Sequence, residues 1–160
     1  MKRGLIISLL LLSICVNAER RALIIGIGAY PDVDYGWHII NGDNDVLFAQ
    51  EIARSNGFSS EQTTLLVNEQ ATFQTITQAF HKLIQESRQG DLVYIHFSGH
   101  GQQITDLDGD EQDGYDEAWI PYDALQEPTP NYHGEHHITD DQLNAWLKQL
   151  RAKVGQTGTI

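Results

Sequence analysis

The sequence is poor in cysteine and in positive charge. Cys15 is its single cysteine, and 10 Lys and Arg stand against 22 Asp and Glu, which gives a formal net charge of −12. One cysteine cannot form an intramolecular disulfide or a thiolate cluster for a metal. An acidic chain is repelled by phosphate backbones, so we expect no nucleic-acid partner.

A hydrophobic run long enough to span a membrane is also missing. The longest run, residues 5–16, is broken by two serines and is shorter than the roughly 20 apolar residues that a spanning helix needs. Lys2 and Arg3 precede this run, and Val16-Asn17-Ala18 follows it as a small-residue cleavage site. This pattern predicts a signal peptide over residues 1–18, cleaved after Ala18, and hence a secreted or periplasmic protein without stable membrane insertion.

Cleavage would leave residues 19–160 as one domain. Ile14 precedes Cys15, where a lipoprotein would have a small residue, so we expect release rather than lipid anchoring. The processed chain would contain no cysteine. It would carry a net charge of −14, because Lys2 and Arg3 leave with the signal peptide.

Apolar runs alternate with helical periodicity along this domain. Buried strands are predicted over residues 22–28 and 92–97, a short strand over residues 63–67, and helices over residues 43–56, over residues 72–88 and after Thr139-Asp140. The apolar stripe of the first helix contains Val46, Leu47, Ala49, Ile52 and Ala53. The alternation predicts an α/β fold, a three-layer α/β/α sandwich around a mostly parallel sheet. A loop over residues 153–158 and a further strand start at Thr159-Ile160 suggest a C-terminally incomplete domain.

A glycine-flanked histidine follows the third strand. Ser98-Gly99-His100-Gly101 opens a polar segment that extends to about residue 137. Ligands of parallel α/β sheets gather at the carboxyl ends of strands, where a histidine can act as a general base or acid. The alternative is a turn histidine without function.

Two other sequence patterns are weaker evidence of function. His133, His136 and His137 resemble zinc ligands, but without a second ligand cluster a solvated turn is the better interpretation. Residues 26–31 contain Pro31 where a dinucleotide-binding fingerprint needs its last glycine.

Four segments together resemble a known family. They are residues 97–101, the acidic stretch over residues 106–117, the opening strand over residues 21–27, and residues 138–143 before the last helix. With these segments, the chain from about Arg21 to Ile160 resembles the caspase-like peptidases of family C14, in their metacaspase and orthocaspase branch.

The resemblance implies a Cys–His dyad that cleaves peptides or proteins after Arg or Lys. His100 matches the catalytic histidine, with Gly99 and Gly101 shaping an oxyanion site, and Asp45 matches a carboxylate of the pocket for the basic P1 side chain. The nucleophilic cysteine would fall a few residues beyond Ile160, so the chain as given should be inert.

The resemblance also implies calcium as an activator. Asp140 and Asp141 match the family's calcium-binding pair, and Asp116 or Asp113 could supply a further carboxylate. An EF-hand is not expected, because Glu111 stands where that loop needs glycine and no helices clearly flank the stretch. A helix N-cap at Asp140 and a solvated acidic turn are the alternatives.

Two other functions remain open. One is a non-catalytic, calcium-binding or interaction module that keeps the fold without the nucleophile. The other is a metal-dependent hydrolase that uses His100 and carboxylates; chelators would inhibit it and thiol reagents would not.

Overall fold

The computed structural model describes residues 18–31, 35–106, 109 and 111–160. The predicted signal peptide, apart from Ala18, lies outside the described residues, as do Asp108 and Asp110 of the acidic stretch. Within the described part of the chain, each helix is too short or too polar to cross a bilayer.

Three helices and six strands make up the described chain. In chain order they are β1 (Arg20–Gly26), α1 (Gly42–Ser55), β2 (Thr63–Val67), α2 (Phe73–Glu86), β3 (Leu92–Ser98), β4 (Gly101–Thr105), β5 (Tyr115–Trp119), β6 (Ile138–Thr139) and α3 (Asp140–Val154). Short 3-10 turns precede and follow β2, at Ser60–Gln62 and Asn68–Gln70.

The central sheet is parallel, in the order β2-β1-β3. Alternate residues of β1 point to opposite faces, so Ala22 and Ile24 pack under α1 while Leu23 and Ile25 pack under α2 and α3. Helices cover both faces, and the predicted three-layer sandwich is confirmed.

The helices begin where their sequences predict. Thr72 caps α2 by accepting a hydrogen bond from the N–H of Thr75, and Thr139 caps α3 by accepting one from Gln142. Helix α3 continues to Val154, two residues into the predicted loop, and ends at Gly155 with φ of 67°.

The predicted stripe of α1 is wrong at two positions. Val46, Ala49 and Ala53 are buried at helical spacing, but Leu47 is 67% exposed and Ile52 is 52% exposed. The small residues Ala49 and Ala53 let α1 lie close to the sheet. Leu47 and Ile52 lie outside the buried face of α1.

A second sheet lies largely within the polar segment that follows His100. Strands β4, β5 and β6 pair antiparallel in that order, with Gly101 opposite Trp119. The apolar residues Ala118 and Trp119 form the end of β5. The strands are short and exposed on one face, so hydrophobic periodicity does not reveal them.

The chain returns to the central sheet at Thr159. This residue forms a parallel bridge with Leu92, and its carbonyl oxygen accepts a hydrogen bond from the N–H of Val93 at 2.8 Å. The predicted start of a strand at Thr159-Ile160 therefore lies beside β3.

Candidate active site

The site lies at the carboxyl ends of β1 and β3, where Gly26 pairs with Ser98. The first turn of α1 approaches this edge closely. A Cβ atom at Gly42 would lie 2.4 Å from the carbonyl oxygen of Ile27 and 2.5 Å from that of Ser98. Only glycine allows this approach, which brings the start of α1 beside the histidine segment.

His100 lies two residues after β3 and is half-buried. Its Nε2 is 2.7 Å from the carbonyl oxygen of His38. A carbonyl oxygen can only accept a hydrogen bond, so this contact places the hydrogen on Nε2 and leaves Nδ1 as the basic nitrogen.

Two aromatic residues hold the imidazole ring in place. The ring of Trp37 stacks on His100 with centroids 5.0 Å apart, and the ring of Tyr30 lies 5.4 Å away. The Trp37 indole N–H donates to the carbonyl oxygen of Ala124 at 2.8 Å. Stacking and the Nε2 contact together restrict rotation of the histidine side chain.

Tyr30 also orients the backbone at His100. Its hydroxyl donates to the carbonyl oxygen of Ile120 at 3.0 Å and accepts from the N–H of His100 at 3.2 Å. Burial raises the pKa of Tyr30 to about 12, so the phenol stays neutral at ordinary pH.

Asp45 lies in the first turn of α1 and is half-buried. Its Oδ2 accepts a hydrogen bond from the hydroxyl of Ser98 at 2.6 Å. The structure thus brings Asp45 to the residue that ends β3, two positions before His100. The helix N-terminus favours a negative charge at this place.

The two glycines beside His100 differ. A Cβ at Gly99 would lie 2.7 Å from the ring of Phe97, which stacks on Trp119 with centroids 4.3 Å apart. Packing therefore requires Gly99. The nearest atom to a Cβ at Gly101 is the Ala118 oxygen at 3.5 Å, an ordinary contact that leaves this backbone approachable.

Asn68 fixes the loop that carries Tyr30. Its Oδ1 accepts hydrogen bonds from the backbone N–H groups of Gly28 at 2.8 Å and Ala29 at 3.2 Å. Asn68 has φ of 46°, a left-handed conformation that asparagine tolerates better than most residues. The loop after β1 is thereby tied to the end of β2.

Sequence reasoning missed Tyr30, Trp37 and Asn68. Tyr30 and Asn68 both follow parallel strands, so the strand-end rule that identified His100 could have identified them. Trp37 lies eleven residues after the end of β1 and carries no comparable signal.

The predicted calcium residues are only partly brought together. Asp140 is the first residue of α3, and within the described chain its buried Oδ1 has no hydrogen-bond partner. Loss of water contact first, and then the carboxylates of Asp140, Asp113, Glu117 and Asp106, raise the pKa of Glu111. Glu111 therefore lies close enough to Asp140 for the two carboxylates to interact.

Asp116 and Asp141 lie on two different elements. Asp116 is buried in β5 opposite Ile104, and Asp141 is half-buried in the first turn of α3. In residues 18–31, 35–106, 109 and 111–160, no three His, Cys, Asp or Glu side chains are arranged to hold a metal.

The three late histidines are partly structural. His137 is only 6% exposed; the Tyr132 hydroxyl lies 2.9 Å from its Nδ1, and Gln102 Oε1 lies 2.9 Å from its Nε2. Burial lowers the pKa of His137. His136 stacks on Phe73 with ring centroids 5.7 Å apart. The expectation of a solvated turn is wrong for His137, because it bridges the loop to β4.

Known proteins resemble this chain over nearly all of its described length. A family model for the metacaspase, peptidase C14 domain matches residues 20–159. "Metacaspase-1" of Botryotinia fuckeliana is 35% identical over 140 residues, which cover 83% of this chain and 31% of that protein. "Metacaspase-1B" of Neurospora crassa is 33% identical over 148 residues, which cover 88% of this chain and 32% of that protein.

The fold is shared with a solved structure. Protein GSU0716 from Geobacter sulfurreducens matches with a TM-score of 0.65 at 26% identity, over 88% of this chain and 47% of that one. The chain spans about a third of the length of the curated relatives described above. From the domain match and these relatives, the chain belongs to the metacaspase, peptidase C14 family.

Proposed function

We propose that this chain is part of a cysteine endopeptidase that cleaves after Arg or Lys, with His100 as its general base. The observation that carries the proposal is the contact of His100 Nε2 with the His38 carbonyl oxygen at 2.7 Å. It leaves Nδ1 to take a proton from a thiol. Family membership supplies the class of nucleophile.

The register of the sheet indicates where the nucleophile would lie. Thr159 pairs with Leu92 at the start of β3, and Ser98 ends β3 six residues later. A strand that continues in register from Thr159 would reach the His100 edge after the same number of residues. We therefore propose that the nucleophilic cysteine lies about six residues after Thr159.

The reaction then follows from the site. His100 Nδ1 takes the thiol proton, and the thiolate attacks the peptide carbonyl carbon to give a tetrahedral oxyanion. The N–H of Gly101 is approachable and could donate to that oxygen. As the C–N bond breaks, His100 returns its proton to the leaving amine, and water then hydrolyses the thioester.

Asp45 is proposed to bind the basic P1 side chain. Its carboxylate is half-buried and lies in hydrogen-bond contact with Ser98, close to the histidine segment. Partial loss of water strengthens the pairing of a carboxylate with a guanidinium or ammonium group. Uncharged side chains would gain no such pairing.

The first test is to read the gene past Ile160 by about fifty codons and assay the full product with Arg, Lys and Leu peptide substrates. We expect a cysteine near the indicated position and cleavage after Arg or Lys. His100→Gln should lower kcat by about 1,000-fold, because general-base catalysis contributes roughly 100- to 10,000-fold. A stop codon after Ile160, or a strand without cysteine, would contradict the peptidase and favour the non-catalytic module.

Calcium is proposed as the activator. Asp140 offers a buried carboxylate oxygen, and the carboxylates around Glu111 repel one another, so a cation with oxygen ligands would relieve both. Calcium should raise the activity of the full product, and Asp140→Asn should weaken this response. Activity that is unchanged by added calcium and by a chelator would contradict the proposal.

Residues 1–18 are proposed as a signal peptide removed after Ala18, on the sequence pattern described above. Intact-mass measurement of the exported protein tests this. A chain that begins at Glu19 supports it, and a chain that keeps Met1 contradicts it.

A further inference from the structure

A buried carboxylate lies at the opposite end of the sheet from His100. Asp91 immediately precedes β3 and is only 1% exposed. Its Oδ2 accepts hydrogen bonds from the backbone N–H of Arg88 at 2.9 Å and from Arg21 Nε at 3.3 Å. Its Oδ1 accepts one from the backbone N–H of Glu19 at 2.9 Å. Carboxylates are rarely buried unless they are paired in this way.

The positive charge beside Asp91 is shared. The guanidinium of Arg21 contacts Asp91 and also the side-chain carboxylates of Glu19 and Glu86. Among the described residues these are the ion pairs of this cluster, so three carboxylates face one guanidinium. The cluster therefore has an excess of negative charge, and a second positive charge would reduce it.

The backbone nitrogen of Glu19 lies next to Asp91, where it could supply this second positive charge. The carbonyl oxygen of Glu19 accepts a hydrogen bond from the N–H of Leu92 at 2.9 Å, which extends the pairing of β1 with β3 by one residue. Glu19 and Ala18 are both exposed. A charged nitrogen at residue 19 could therefore contact Asp91 and keep its other hydrogens in water.

We propose that the Asp91 carboxylate is the docking site for the processed N-terminus of this protein. Hydrolysis of the Ala18–Glu19 bond adds water: the carboxylate leaves with Ala18, and the Glu19 nitrogen gains the protons of an ammonium group. The 2.9 Å amide hydrogen bond then becomes a charge-assisted one. The inference rests on the proposed cleavage after Ala18, and it makes removal of the leader a stabilising step.

The pairing has a defined pH dependence. The groups that face the new amine are the carboxylates of Asp91 and Glu19 and the guanidinium of Arg21, with Glu86 behind Arg21. Pairing with Asp91 would raise the folded pKa of the amine above its unfolded value of about 8. The added stability is then complete below about pH 8 and is lost as the pH rises through the folded pKa.

The test compares two forms of the full product that differ by one residue, one beginning at Glu19 and one at Ala18. A fusion partner whose protease leaves no extra residue supplies both. The two chains have the same net charge, but the second places its amine one residue away from Asp91. The Glu19 chain should melt about 2–4 °C higher at pH 6.5, and the difference should shrink at alkaline pH. Equal melting temperatures at every pH would overturn the proposal.

A second readout does not need a substitution that could prevent folding. A paired ammonium reacts slowly with acylating reagents, because only the neutral amine is nucleophilic. If the folded pKa is one unit higher, the α-amine of the Glu19 chain should be acetylated about tenfold more slowly at pH 7.5 than that of the Ala18 chain. Equal rates would overturn the pairing, whereas the mass of the exported protein tests cleavage separately.

Discussion

The two ends of the parallel sheet each present an aspartate next to β3, and the two aspartates differ in how they are held. Asp91, at the amino end, is 1% exposed and accepts three hydrogen bonds: from the backbone N–H groups of Glu19 and Arg88 and from the Arg21 side chain. Asp45, at the carboxyl end, is half-buried and accepts the hydroxyl of Ser98.

This difference fits Asp91 to a structural role and Asp45 to the binding role proposed above. A buried carboxylate that is surrounded by donors stabilises the chain segments that supply them. A half-buried carboxylate next to Ser98 keeps part of its surface exposed, where a ligand can approach it. The carboxyl end also collects Tyr30, Trp37 and Asn68, which position the histidine and its loop.

Of the substitutions considered, the one at Asp45 should have the largest effect, and it should act on substrate binding at the carboxyl end of the sheet. In the full product, Asp45→Asn should lower kcat/KM for Arg substrates by roughly 30-fold or more, since loss of a partner from a desolvated charge pair costs about 2 kcal/mol or more. The effect on melting temperature should be small. Glu51→Gln is the control, because it removes one negative charge from the exposed side of the same helix. An equal loss in both variants would contradict the role of Asp45.

Substitution at Gly42 tests the close approach that assembles this end. A Cβ at Gly42 would lie 2.4 Å from the Ile27 carbonyl oxygen, so Gly42→Ala should lower the free energy of unfolding by about 1–3 kcal/mol. Gly101→Ala is the control, because its nearest contact would be an ordinary 3.5 Å. Urea unfolding measures both. Equal stability of the two variants would show that α1 can move away from the strand ends without cost.

A smaller effect is expected from acid, which should lower the stability of the fold through His137, the residue that bridges the loop to β4. Burial lowers the pKa of His137 below its ordinary value of 6.5, so the unfolded chain binds this proton first as the pH falls. The stability that neutral His137 contributes is complete above about pH 6.5 and is lost as the pH falls towards the lower folded pKa. His137→Gln should flatten the change in melting temperature between pH 7 and 5, and the exposed His133→Gln should not.

Much of the fold follows from local pattern. The apolar runs predicted β1, β2 and β3 within two residues at each end, and helical periodicity with Thr72 and Thr139 as caps predicted α2 and the start of α3. The β4-β5-β6 sheet was not predicted, because its strands are short and its pairing joins residues that are far apart in polar sequence. The exposure of Leu47 was also missed, because the side of α1 that meets the sheet depends on how closely the helix packs.

For the candidate site, the sequence by itself determined the chemical groups and their place after strands: His100 behind β3, and Asp45 in the first turn of a helix. The tertiary structure alone decided which nitrogen of His100 is left basic, because the His38 carbonyl oxygen reaches it from a distant loop. It also decided that the Glu19 nitrogen meets Asp91, a contact across 72 positions of the chain. Such contacts depend on sheet register and loop packing, which are long-range properties of the folded chain.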